Sequence, residues 1–88
     1  MVRRHVVVTG AVQGVWFRDT CQNVARRAGV AGWIRNRTDG SVEAIFEGPD
    51  DAVDQLVAWC HEGPERAEVA QVTVTDEPVE GSAGFWIR

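Results

Sequence analysis

The dipeptide Asp39-Gly40, near the middle of this 88-residue chain, constrains the fold more than any other feature. Asp-Gly supplies the backbone conformations that a tight reversal between antiparallel strands requires. The residues on either side fit that reading. Val30–Arg37 has strand character, with Gly32 near its start, and Ser41–Glu47 alternates Val42, Ala44 and Phe46 against Glu43 and Glu47. Each arm of this hairpin is joined to a helical segment and then a strand. Before it, Arg4–Thr9 is rich in β-branched residues, and from Phe17 the apolar positions Phe17, Cys21, Val24, Ala25 and Ala28 recur at steps of three and four. Gly29 follows as a helix-ending residue, with Arg26 and Arg27 favouring the negative end of the helix dipole. After the hairpin, Gly48-Pro49-Asp50-Asp51 opens a second helix whose stripe is Val53, Leu56, Val57 and Cys60, with Trp59 at its margin. Ala67–Thr75 then reads as a strand with Ala70, Val72 and Val74 inward, Asp76–Ser82 as a polar connection, and Phe85–Arg88 as a short terminal strand.

The order β-α-β-β-α-β, plus that short last strand, predicts an α+β fold. It is the ferredoxin-like split βαβ sandwich: an antiparallel sheet with two helices on one face. Right-handed crossovers then put the first and third strands at the centre. Residues 1–88 are expected to form a single domain, since no repeat or linker divides them. This fold hosts unrelated functions, so activity has to be argued from a site.

Charge narrows the choice of ligand. Residues 1–38 hold seven arginines against Asp19 alone, whereas residues 39–88 hold two arginines and twelve acids, for a net charge of −4. A locally positive half in an acidic chain suits a small anion better than a nucleic acid, which the whole molecule would repel. No apolar run is long enough for a membrane span, and the short apolar run after Met1–His5 does not resemble a secretory leader. A cytoplasmic monomer with no nucleic-acid or membrane partner is the expectation. Cys21 and Cys60 match no metal or redox spacing and are expected to be buried free thiols.

Catalytic sets are scarce. His5 and His61 begin a strand and end a helix, no Ser–His–Asp or Cys–His arrangement can be placed, and no His/Cys/Asp/Glu cluster has metal-ligand spacing. The carboxylates alternate on strand faces or cap helices, as solvated surface groups do. What remains is the loop Gly10–Arg18 between the first strand and the first helix. Its glycines allow backbone N–H groups to converge, the helix start adds unpaired donors, and Arg18 offers a planar charged fork. The same loop also reads as a tight connection whose glycines relieve strain. Asn36, between Arg35 and Arg37 at the end of the second strand, is a second candidate or simply the start of the turn.

Two longer patterns run through these positions. Gly10-x-Val12-Gln13-Gly14-Val15-x-Phe17-Arg18 resembles the first acylphosphatase signature, and Gly32-Trp33-Ile34-Arg35-Asn36-x-x-x-Gly40-x-Val42-x-x-x-x-x-Gly48 resembles the second. Ile34 stands where the family more often has Val or another small residue, a conservative change. The ending Phe85-x-Ile87-Arg88 is also similar, so the resemblance covers nearly the whole chain. It implies hydrolysis of the carboxyl–phosphate bond of acyl phosphates, with inorganic phosphate as product and no metal or other cofactor. By motif position, Arg18 matches the phosphate-binding arginine and Asn36 the water-positioning asparagine. Ala11, Val12, Gln13, Gly14, Val15, Trp16 and Phe17 match the phosphate cradle. A cradle that grips only the phosphate implies broad tolerance of the acyl group. Acylphosphatase-like domains also occur in larger proteins that handle carbamoyl phosphate, so a non-catalytic phosphate-handling domain is the alternative.

Overall fold

The computed structural model describes residues 1–88. Its elements are β1 (Val2–Ala11), α1 (Phe17–Ala28), β2 (Ala31–Asn36), β3 (Val42–Gly48), α2 (Asp50–Glu62), β4 (Glu68–Glu77) and β5 (Phe85–Ile87). They form a five-stranded sheet in the order β4-β1-β3-β2-β5, so β1 and β3 are central as the crossover rule requires. Four strands pair antiparallel. The terminal strand β5 lies parallel to β2, which makes the sheet mixed rather than wholly antiparallel.

Both helices pack on the sheet face that carries Val6, Val8, Ile34, Ala44, Phe46 and Phe85. The helical periodicity supplies the other half of this core: Phe17, Cys21 and Ala25 from α1, and Val53, Leu56 and Cys60 from α2. Phe46 and Phe85 stack at 5.8 Å between ring centroids, which holds the short strand β5 against the sheet. Trp59 covers the margin of the α2 stripe, edge-on to Phe17 at 5.0 Å. Helix α1 ends as its sequence predicts. Gly29 has φ 73°, its N–H donates to Arg26 O, and the Val30 N–H donates to Ala25 O. Cys21 and Cys60 are free and fully buried, and burial pushes both thiols up, Cys60 to about 12.

Strand β4 departs from the expected pattern. Period-two alternation places Ala70 inward with Val72, but Val69 packs against the core instead and Ala70 is exposed. The cause lies on the neighbouring strand. The β1–β4 register shifts between Thr9 and Gly10, so that Gly10 opposes Val69 and Ala70 is left over as a bulge. Gly10 has φ 118°, and a Cβ on it would lie 2.2 Å from the Glu68 carbonyl oxygen. A side chain is incompatible with this crossing.

The helix-free face of the sheet holds the second departure. Glu47 was expected on a solvated face, yet it is 3 % exposed. The segment from Glu80 to Ser82 folds over it, and its carboxylate accepts the N–H groups of Glu80 at 2.8 Å and Ser82 at 2.7 Å. The Arg3 guanidinium, also buried, donates to the same carboxylate at 3.2 Å and to Ser82 Oγ at 2.9 Å, while Arg3 Nε lies 3.5 Å from Glu77. The Glu80 amide, followed by that of Ser82 and by Arg3, holds the Glu47 carboxyl below the usual glutamate range. The charge asymmetry of the sequence is largely dissolved by such pairs: Arg3 with Glu47, Arg4 with Asp54 and Asp76, and Arg35 with Glu43.

Candidate active site

The Gly10 crossing ends β1 and turns the chain toward α1. The Val12 N–H donates to Gly10 O at 3.1 Å, and the Val12 side chain is buried in the core, which fixes the start of the loop. Gly14 has φ 73°, and nothing lies within 4 Å of where a Cβ would stand. The loop closes at Trp16, the one non-glycine residue with positive φ (66°). For an L-residue that conformation costs about 1–2 kcal/mol. It allows α1 to start at Phe17, whose ring is buried against Trp59.

This helix start has no side-chain cap. The consecutive backbone N–H groups from Gln13 to Asp19 donate to no acceptor within the protein. Seven adjacent donors left unpartnered at a helix start form an anion-favouring surface. Arg18 stands in the first turn of that helix. It is partly buried but makes no ion pair and no hydrogen bond, unlike the partly buried Arg4 and the buried Arg3. Asn36 ends β2, with its backbone paired opposite Val42 and its side-chain amide bonded to nothing in the protein.

These groups meet in one cleft of about 190 Å³, lined by Val12, Gly14, Trp16, Phe17, Arg18, Asp19 and Asn36. The two arginines flanking Asn36 in sequence turn away. Arg35 Nε donates to Glu43 at 2.6 Å, and Arg37 lies 3.9 Å from Asp39. The Asp39-Gly40 turn that sets the position of Asn36 is held by Asp39 Oδ1, which accepts both the amide (2.9 Å) and the hydroxyl (2.6 Å) of Ser41. The Ser41 hydroxyl and amide keep the Asp39 carboxyl below its ordinary value.

Not every residue matched to the cradle lines the cleft. Ala11 is the exposed last residue of β1, and the partly buried Val15 packs toward the core. Gln13 has a different engagement. Its Nε2 donates to Arg37 O at 2.8 Å and Ser41 O at 2.9 Å, tying the loop to the base of the hairpin that carries Asn36. Asp19, an exposed cleft residue absent from the expected set, adds a carboxylate beside Arg18. Its position in the first turn of the helix was the available signal.

The chain is similar to known proteins along nearly its whole length. The acylphosphatase family model matches residues 4–87. An acylphosphatase from Rubrobacter xylanophilus is 56 % identical over 87 residues, covering 98 % of this chain and 79 % of the relative. One from Haloquadratum walsbyi is 52 % identical over 86 residues, covering 98 % and 92 %. The crystal structure of acylphosphatase from Bacillus subtilis superposes with a TM-score of 0.96 at 37 % identity, covering 100 % of this chain and 99 % of that one. The chain belongs to the acylphosphatase family of enzymes.

Proposed function

We propose that the protein hydrolyses the carboxyl–phosphate bond of acyl phosphates to a carboxylate and inorganic phosphate. One observation carries this reading. Arg18 from α1 and Asn36 from β2 line the same small cleft with side chains unengaged elsewhere, beside a run of unpartnered backbone N–H groups. Arg18 and the loop amides bind the phosphoryl oxygens and stabilise charge as it redistributes in the transition state. Asn36 holds the attacking water in line with the departing oxygen.

The chemistry suits this residue set. The leaving group of an acyl phosphate is a weakly basic carboxylate, so it departs without help from a general acid. The water oxygen forms a bond to phosphorus while the bond from phosphorus to the acyl oxygen breaks, its electron pair leaving with the carboxylate. The amide of Asn36 takes no proton near neutral pH, so the proton of the water passes to a phosphoryl oxygen. A pH–rate profile that required an enzyme base titrating near neutrality would contradict this step.

Benzoyl-phosphate hydrolysis by wild type, Arg18→Ala and Asn36→Ala, with inorganic phosphate as competitive inhibitor, tests the assignment. Arg18→Ala is expected to lose both phosphate inhibition and turnover, by about 10²–10³ or more. Arg18→Lys should be nearly as damaging, because a point charge does not replace a planar fork. Asn36→Ala should lower kcat far more than it weakens phosphate inhibition. A rise in KM alone would remove the water-positioning role.

A further inference from the structure

Trp16 has no structural explanation. It is 69 % exposed, stands outside the hydrophobic core and its partly buried neighbours, and holds a left-handed conformation that glycine adopts without strain. The other three tryptophans are engaged: Trp59 against Phe17, Trp33 between Arg35 and Arg88, and Trp86 with Arg26. Trp16 has no aromatic or cationic partner, and its indole N–H donates to no acceptor, whereas that of Trp86 bonds to Ala83 O. It nevertheless lines the cleft. The other apolar members of that lining, Val12 and Phe17, are 1 % and 2 % exposed and present almost no surface to a ligand.

We infer that Trp16 is the acyl-group platform of the site and that the protein favours acyl phosphates with flat aromatic or extended apolar acyl groups over small aliphatic ones. The inference rests on the hydrolase reading above and adds to it the class of substrate. With the phosphoryl group gripped by Arg18 and the loop amides, the acyl portion projects from a cleft of about 190 Å³ toward its rim. The exposed indole is the one large apolar surface available there. A planar acyl group laid on it gains both burial and stacking. The broad acyl tolerance expected of a phosphate-only cradle is thereby replaced by a graded preference.

The test compares kcat/KM for benzoyl phosphate and acetyl phosphate in wild type, W16G and W16F. Glycine accepts the left-handed backbone and removes the platform, while phenylalanine keeps an aromatic face. The benzoyl-to-acetyl ratio is expected to fall about tenfold in W16G, mainly through KM for benzoyl phosphate, and to stay near the wild-type ratio in W16F. A ratio unchanged in W16G, or reduced equally in W16F, overturns the platform while leaving the hydrolase reading intact. Failure of the wild-type protein to turn over either substrate overturns the hydrolase reading, and the acyl preference falls with it.

Discussion

Two loops of this protein bring backbone N–H groups together with an arginine. Between β4 and β5 the acceptor comes from within. The amides of Glu80 and Ser82 and the guanidinium of Arg3 converge on the Glu47 carboxylate. Between β1 and α1 the amides from Gln13 to Asp19 and the guanidinium of Arg18 meet no acceptor of the protein's own. The local physics is shared, since both places concentrate positive potential from donors and a planar cation. The difference is the source of the anion. Where a side chain provides it, the loop contributes to folding. Under the proposed reading the open loop takes its anion from a ligand, and without one its donors stay unsatisfied at a cost in stability.

Removing the arginine from the open loop is the strongest way to separate the two. Arg18→Ala should lower kcat/KM by about 10²–10³ or more while leaving Tm close to wild type, because Arg18 pairs with nothing in the folded protein. Inorganic phosphate should raise the Tm of wild type and not of Arg18→Ala, since a ligand stabilises only the state that binds it. A large fall in Tm in Arg18→Ala without phosphate would show that Arg18 holds the fold as Arg3 does.

The closed loop should respond in the opposite sense. Glu47→Ala leaves Arg3 buried beside two unpartnered amides and should cost about 3 kcal/mol. For a chain of this size that lowers Tm by roughly 12–24 °C. Acid acts on the same group. The folded-state pKa of Glu47 lies below its unfolded value, so its stabilisation is present above the ordinary glutamate range and is lost as pH falls through the folded value. Glu47→Gln should therefore flatten the acid limb of the stability profile. Glu43, held low first by His5 and then by Arg35, contributes to the slope that remains. An acid limb identical in Glu47→Gln and wild type would mean that Glu47 is not the anion around which the loop closes.

The two loops also differ in how far they could be read from sequence. The open one was legible because its glycines, Arg18 and the helix start lie within nine consecutive residues, and Asn36 is placed by the adjacent Asp-Gly turn. The closed one was hidden. Alternation along β3 correctly assigns Glu47 to the helix-free face, but nothing local says that residues 33 and 35 positions later fold over it. The same limit applies to β4. Its inward residue changed from Ala70 to Val69 because of a bulge opposite Gly10, on another strand. The left-handed backbone of Trp16 was hidden for a different reason, because propensity argues against a tryptophan in that conformation.

Gln13 connects the open loop to the rest of the site and gives the smallest of the expected effects. Motif position placed it in the cradle, but its amide is spent on Arg37 O and Ser41 O, so any contribution to the ligand comes from its backbone N–H. Gln13→Ala removes two hydrogen bonds to carbonyls that water then reaches, for a net loss of about 1 kcal/mol. A Tm lower by roughly 4–8 °C is expected. The larger consequence is positional, because the loop bearing the amides and the hairpin bearing Asn36 lose their tie. Displacing the water relative to the phosphoryl group should lower kcat about three- to tenfold, with a smaller change in phosphate inhibition, since Arg18 and the amides still move as one piece. A Tm loss with kcat unchanged would show that Gln13 supports the fold without setting the distance between the two halves of the site.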